Sequence, residues 1–313
     1  MDGGAAEPKV AVLLCTYQGE RYLAEQLDSM AAQRHRNWDL HVSDDGSTDA
    51  TMAIVAAYQR KWGADRTIRI QQGPGKGFAA NFLSLACRSD FTADFYAFSD
   101  QDDIWEADKL TRAVGLLRTV PDDTPAFYCG RTRLVDAENR EIGMSPGLRR
   151  PPTFGNALAQ SVGGGNTIVF NNATRALLQE AGADVPIITH DWWIYMLVTG
   201  CGGVVMHDDH PTLRYRQHDS NVIGMNTTLG ARLKRIGMLW AGRYRAWNDG
   251  NIAALRRVEA RLTPANRAML QDFAAARDMP LVPRLRQLRR IGIRRQTLFG
   301  NLGLTAAAVF RRM

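Results

Sequence analysis

Asp100-Gln101-Asp102-Asp103 is the densest chemical cluster in this 313-residue sequence, and it follows directly on the apolar run Phe95-Tyr96-Ala97-Phe98. Such a run reads as a buried strand, with the acids marking its exit. In an extended segment the side chains of residues i and i+2 point the same way, so Asp100 and Asp102 would converge on one small volume. Carboxylates crowded at neutral pH repel, and a proton or a cation relieves the repulsion. Hard cations such as Mg²⁺ or Mn²⁺ take oxygen ligands and often bind through one or two carboxylates plus substrate phosphates. The plainer alternative is a solvated acidic turn that starts the next helix, with Asp103 or Asp108 near its beginning.

The elements that must position these acids are legible as alternating patterns. Val10-Ala11-Val12-Leu13-Leu14 suits a strand buried on both faces. Residues 20–33 read as a helix on the spacing of Tyr22, Leu23, Leu27 and Met30, and Trp38 to Val42 as a second strand. Ser47 and Asp49 can cap a helix that runs to about Lys61. A short strand at Ile68 to Gln71, a helix over 77–87 and a strand over 94–98 follow. This β-α-β-α-β-α-β order predicts an α/β protein with a mostly parallel sheet flanked by helices. Ligands of such sheets collect at the carboxyl ends of the strands. Thr16-Tyr17, Ser43-Asp44-Asp45-Gly46-Ser47 and Ser99 to Asp103 all fall at those ends. Beyond them the pattern is mixed: strand-like at 126–135, 166–170 and 211–216, helical at 153–160 and 189–199. From about 228 to 295 it is almost all helical, broken at Pro264, Pro280 and Pro283. The domain boundaries expected are a disordered terminus over 1–8, an α/β domain over 9–225 and a helical, basic extension over 226–313.

Composition narrows the class. An apolar content of 45% and a charged content of 23% are those of an ordinary globular protein. The first eight residues have neither a basic nor an apolar stretch of a signal peptide, and no apolar run approaches 18 residues. Cys15, Cys87, Cys129 and Cys201 form no Cys-x-x-Cys pair, so zinc and a disulfide framework are both unsupported and a reducing cytoplasm is expected. The net charge of +7 comes from the tail: eight arginines and no acid follow Asp278, whereas residues 1–278 hold 31 basic and 32 acidic groups. Charge confined in this way, with few interleaved aromatics, argues against nucleic acid as a partner.

Thr16-Tyr17, Asp44-Asp45-Gly46-Ser47-Thr48-Asp49 and Asp100-Gln101-Asp102-Asp103, in that order and spacing, resemble family 2 glycosyltransferases over roughly residues 9–220. The wording Phe98-Ser99-Asp100-Gln101-Asp102-Asp103-Ile104-Trp105, with His190-Asp191-Trp192-Trp193 and Tyr215-Arg216-Gln217-His218, is most similar to the bacterial rhamnosyltransferase branch. The resemblance implies a GT-A fold and an inverting, metal-dependent transferase. Its donor would be dTDP-L-rhamnose, or alternatively a UDP-hexose, and its product a bacterial cell-surface polysaccharide such as O-antigen.

By the same resemblance Asp45 would hold the imide edge of uracil or thymine, with Thr16 and Tyr17 lining that pocket. Asp44 or Ser47 would shape the turn. Asp100 would face the ribose, with Asp103 also on the donor side, and Asp102 would bind the Mg²⁺ or Mn²⁺ that bridges the diphosphate. His218 would be a further metal ligand or a diphosphate contact, if it is not simply a hydrogen-bonded residue. Asp191 would be the base that deprotonates the acceptor hydroxyl, with His190 as the alternative base or as the group that orients Asp191. Trp192 and Trp193 would stack on acceptor sugars or serve as core. Gly164, within Gly163-Gly164-Gly165-Asn166, offers a close backbone approach near donor or acceptor, or a turn.

Gly73-Pro74-Gly75-Lys76-Gly77 fails the Walker pattern, since no Ser or Thr follows Lys76. It reads as a flexible turn near the donor, with Lys76 offsetting phosphate charge and Asn81 on the next helix reaching the nucleoside, or with each serving a structural role instead. In the tail, Leu281, Leu285, Leu288 and Ile291 recur at helical spacing with arginines between them. A basic amphipathic segment suits an anionic membrane surface. A peripheral location on the inner face of the cell membrane, near a lipid-linked acceptor, is therefore expected. A helix packed on the domain and an oligomer contact are the alternatives.

Overall fold

The structure is a computed structural model that describes residues 6–218 and 243–313. Its first half follows the alternation of apolar runs. Strand β1 (Val10–Thr16) is buried along its whole length, and helix α1 (Leu23–Ala31) turns Leu23, Leu27 and Met30 inward. Then come β2 (Trp38–Asp44), α2 (Thr51–Trp62), β3 (Ile68–Gln72), α3 (Phe78–Ala86) and β4 (Phe95–Ser99). The chain continues through β5 (Ile104–Trp105), α4 (Lys109–Leu117), β6 (Ala126–Gly130), β7 (Arg133–Val135) and β8 (Glu141–Met144). It goes on to α5 (Phe154–Ala157), β9 (Val169–Asn171), α6 (Asn172–Ala181), α7 (His190–Gly200), β10 (Val204–Asp208) and β11 (Leu213–Arg216).

Seven strands form the main sheet in the order β10-β6-β9-β4-β1-β2-β3. It is parallel except for β9, which runs antiparallel to β4 and β6. The register sets Thr16 beside Asp44, Asp44 beside Gln72 and Leu14 beside Ser99. The carboxyl ends of β1, β2 and β4 are thus aligned, and all three polar clusters emerge along one edge. Val12, Leu14, Leu40, Val42 and Ala97 pack with Leu27 and Met30 beneath that edge.

A smaller sheet, β5-β11-β7-β8, was not foreseen. The expected single strand over 126–135 is divided, with β6 in the large sheet and β7 in the small one. Alternation cannot reveal such a change of sheet, because both pieces are apolar. β10 was also missed; it pairs in parallel with β6.

The chain separates into two compact units, each assembled from three segments of the sequence. One takes the residues up to Pro146, Gly163–Asp184 and the stretch from Val204, and so holds both sheets. The other takes Gly147–Val162, Val185–Gly203 and the C-terminal helices. Those helices are Arg243–Arg257, Pro264–Ala276, Leu281–Arg290 and Leu298–Val309. Pro264 begins a helix rather than breaking one, as a residue without an N–H can at the first turn. Of the helical stretch expected from 228, residues 228–242 are outside the described part, as are residues 1–5 of the expected disordered terminus. Glu7 and Pro8 are held: the Glu7 carboxylate accepts from Arg36 N at 2.8 Å and Asn37 N at 3.0 Å, and Pro8 O is 2.8 Å from His35 Nε2.

Candidate active site

The adjacent aspartates that end β2 have opposite tasks. Asp44 is buried and accepts from Thr16 Oγ1 at 2.8 Å, Ser47 N at 2.8 Å and Ser47 Oγ at 2.6 Å. It builds the turn. Asp45 is half-buried, and its two oxygens accept from Gly75 N at 2.7 Å and Gly77 N at 2.8 Å. This carboxylate therefore gathers the glycine-rich loop, in which Gly75 and Gly77 take φ of +66° and +87°. Gly73 is required for a different reason: a Cβ there would be 2.6 Å from Asn81 Oδ1 and 2.8 Å from Asp45 Oδ1.

Several expected donor contacts are placed differently. Thr16 is buried and committed to Asp44. Asn81 is 1% exposed, with its carboxamide bonded to Ser43 O at 2.9 Å and to Ser43 Oγ at 2.6 Å. It braces the strand end from behind and does not reach outward to a nucleoside. Tyr17 and Lys76 are exposed at the rim. Gln101, absent from the expected set, clips the rim together: Tyr17 N donates to its Oε1, and its Nε2 donates to Tyr17 O, both at 2.9 Å.

The acidic loop also departs from the extended geometry expected of it. The chain bends at Gln101-Asp102, so strand alternation does not apply and the carboxyls separate by environment. Asp102 Oδ2 meets His218 Nε2 at 2.8 Å, and the His218 ring packs on Tyr22 at 5.1 Å between centroids. Asp103 turns inward, 1% exposed, and accepts from Asn166 Nδ2 at 2.6 Å. Burial pushes its pKa well above the usual carboxylate range, and the charges of Asp102 and Asp100 push the same way. This corrects its assignment to the donor surface. Lys109, fully buried, donates to Asn166 O, and its ammonium is 3.8 Å from the Trp105 ring. Burial lowers its pKa to about 7, against the pull of Asp103.

The small sheet explains how His218 arrives. β11 pairs antiparallel with β5, setting Leu213 opposite Trp105 and Arg214 opposite Ile104; continued, that register brings Arg216 to Asp102. The Arg216 guanidinium is 2% exposed, donates to Asp102 O at 3.1 Å and Ala137 O at 2.8 Å, and pairs with Glu25. Sequence reasoning missed this residue as a support, although an arginine two positions before the candidate ligand was a visible signal.

Asp102 and His218 fit a divalent cation as an oxygen and an imidazole donor. Among the described residues no group of three or more His, Cys, Asp or Glu side chains could hold a metal.

In the second unit Thr189 caps α7, and Asp191 stands in its first turn, half-buried, accepting from Ser161 Oγ at 2.9 Å. His190 is 4% exposed, and burial lowers its pKa to about 4. It is neutral at physiological pH, as a base must be, but it is enclosed and its lowered pKa makes it a weaker proton acceptor. Trp192 and Trp193 are core, with Trp192 Nε1 donating to Ala157 O at 2.6 Å, so neither ring offers a face to a sugar. In the sheet-bearing unit Gly164 leaves exposed backbone, and a Cβ there would come within 2.6 Å of Asn166 Oδ1.

Residues 11–181 match the family model described as glycosyl transferase family 2. The dTDP-rhamnosyl transferase RfbG of Shigella flexneri is 30% identical over 244 residues, covering 74% of this chain and 81% of that one. The putative glycosyltransferase EpsE of Bacillus subtilis (strain 168) is 37% identical over 110 residues, covering 35% of this chain and 38% of its own length. Among solved structures, S. aureus TarS 1-349 in complex with UDP-GlcNAc aligns with a TM-score of 0.50 at 18% identity, covering 90% of each chain. The mannosyltransferase PcManGT from Pyrobaculum calidifontis, solved with GDP-Man and Mn²⁺, aligns with a TM-score of 0.50 at 17% identity, covering 98% of this chain and 86% of that one.

The mostly parallel sheet flanked by helices, shared with these solved structures, is a GT-A fold, and the sequence matches make the chain a glycosyltransferase. The chain belongs to glycosyl transferase family 2.

Proposed function

We propose that this chain is an inverting, metal-dependent transferase that moves L-rhamnose from dTDP-L-rhamnose to a saccharide acceptor, lipid-linked, in bacterial cell-surface polysaccharide synthesis. The observation that carries the choice of sugar is the 30% identity to a dTDP-rhamnosyl transferase across most of both chains. Asp45 reads the nucleobase imide, and the Gly73–Gly77 loop it gathers follows the donor, with Lys76 near phosphate. Tyr17 forms the pocket rim and Asp100 faces the ribose. Asp103, Asn81 and Thr16 act from below as positioning residues. Asp102 and His218 hold Mg²⁺ or Mn²⁺, which when bound offsets the charge that grows on the departing diphosphate. Asp191 accepts the proton of the attacking hydroxyl, and its bond to Ser161 supports this by fixing the carboxylate at the start of α7. The exposed backbone at Gly164 borders the sugar. The basic tail meets an anionic membrane surface, where a lipid-linked acceptor would be found.

Asp191→Asn should lower transfer on the order of 10³-fold while leaving donor affinity within about twofold, measured by titration with dTDP. Full transfer by this variant would remove Asp191 from the mechanism. Asp102→Ala should abolish metal-stimulated transfer without unfolding the protein. A UDP-hexose donor is the second reading, because the imide that Asp45 would recognise is common to uracil and thymine. A panel of nucleotide sugars offered with a lipid-linked acceptor extract, read by mass, separates the two; no turnover of dTDP-rhamnose would end the first.

A further inference from the structure

The C-terminal helix Leu298–Val309 is buried on one side only, through Leu304, Ala307 and Ala308. The other side is solvent-facing and almost entirely apolar: Leu298 is 72% exposed, Phe299 85%, Leu302 58% and Phe310 52%. No charged residue occurs between Gln296 and Phe310, while Arg294 and Arg295 precede the stretch and Arg311 and Arg312 follow it. A contiguous apolar face of this kind marks an interaction surface.

The preceding helix, Leu281–Arg290, packs beside it, and Arg284 is spent inside the pair, donating to Met279 O at 2.7 Å and to Ala308 O. Leu288 is buried as well, so the amphipathic stripe expected on this helix is partly core. What remains outside is Leu281 and Val282 together with Arg286 and Arg289, while Arg290 is exposed but pairs with Asp272 at 3.2 Å.

We propose that this helix pair is an interfacial anchor: Leu298, Phe299 and Leu302 enter the headgroup region of an anionic bilayer while the surrounding arginines engage lipid phosphates. The anchor rests on the reading of a lipid-linked acceptor and specifies which surface meets the bilayer. Charge complementarity selects this occupant. From residue 279 onward the chain has no acid. Apart from Arg284, which is buried, and Arg290, which pairs with Asp272, its arginines are uncompensated within this segment, so a second copy seated on this face would bring like charges together. Arginine stems can lie along the apolar boundary with their heads at phosphate level. The helix has 12 residues, about 18 Å at 1.5 Å per residue, which is too short to cross a hydrocarbon core of about 30 Å. Among the described residues no helix is long and apolar enough to span a membrane.

The test is sedimentation of the full chain with phosphatidylcholine vesicles containing or lacking about a third phosphatidylglycerol, beside the double variant Phe299→Glu/Leu302→Glu. Both positions are exposed, so folding should survive. The wild type should pellet with the anionic vesicles and at least tenfold less with neutral ones, and the variant should partition at least tenfold more weakly. Donor hydrolysis in vesicle-free solution should be equal in the two proteins; loss of hydrolysis in both would count against the catalytic reading and not against the anchor. Equal partitioning of wild type and variant, or a wild type that stays in the supernatant, would overturn the proposal. So would light scattering that shows a wild-type dimer split by the variant with no capture by vesicles.

Discussion

Asp44 and Asp45 are identical in type and adjacent in sequence, yet one builds the strand-end turn and the other gathers the loop that follows β3. Asp44 satisfies Thr16 and the Gly46-Ser47 amides. Asp44→Ala should therefore cost about 1–3 kcal/mol of stability, since several donors lose their acceptor; urea denaturation measures this. Asp45→Asn keeps the shape of the side chain but loses its charge. It should weaken dTDP binding at least tenfold and, because one of the Gly75 and Gly77 amides loses its acceptor, lower stability by about 1–3 kcal/mol; calorimetric titration beside urea denaturation distinguishes that from a general loss of fold. The presence of chemistry at this corner was legible because two acids followed by Gly-Ser can be read locally. Which acid faces inward was not, because that depends on Thr16, 28 residues away in the chain.

At the scale of elements, the supporting part of the site is the β5–β11 pairing. It brings Arg216 and His218 to an acidic loop more than 100 residues earlier in sequence, with Asp102 and His218 separated by 116 positions. Arg216→Met should leave the Asp102 and Ala137 carbonyls without their donor and Glu25 without its cation. The expected cost is about 1–3 kcal/mol, set by the two carbonyls that lose their donor, because the Glu25 side chain is itself 47% exposed and stays solvated. Chemical denaturation should show it as a lower midpoint, and a midpoint unchanged from wild type would mean that the guanidinium is dispensable. The helices and the strands of the parallel half were legible from periodicity. β10 and the small sheet were not, because short apolar strands carry too little pattern to state their sheet.

At the scale of the whole molecule, two buried imidazoles set an acid limit. His41 and His190 are each 4% exposed, and burial lowers the pKa of each to about 4 from an ordinary 6.5. Below pH 6.5 the unfolded chain takes up protons that the folded chain refuses, so the stability contributed by these groups is complete above that pH. It declines as pH falls from 6.5 toward 4. At about 1.4 kcal/mol per pH unit for each group, the loss approaches 3 kcal/mol apiece. Scanning calorimetry from pH 7.5 to 4.5 should show a falling melting temperature, and His190→Asn should flatten the slope. A melting temperature that rises on acidification would contradict this.

Apolar runs that alternate with amphipathic stretches, and polar clusters placed where those runs stop, were sufficient to specify a parallel α/β sheet with acids along one edge. Such information is local: strand burial and turn formation depend on neighbours a few positions away. The tail's charge was equally plain, being a matter of composition. Tertiary structure alone decided that Asp103, Asn81, His190 and the paired tryptophans are interior, that Asp102 has His218 beside it, and that Leu298–Val309 keeps an apolar side uncovered. Each of these depends on what packs against a side chain from distant parts of the chain, and burial and hydrogen bonding are assigned only when those parts meet.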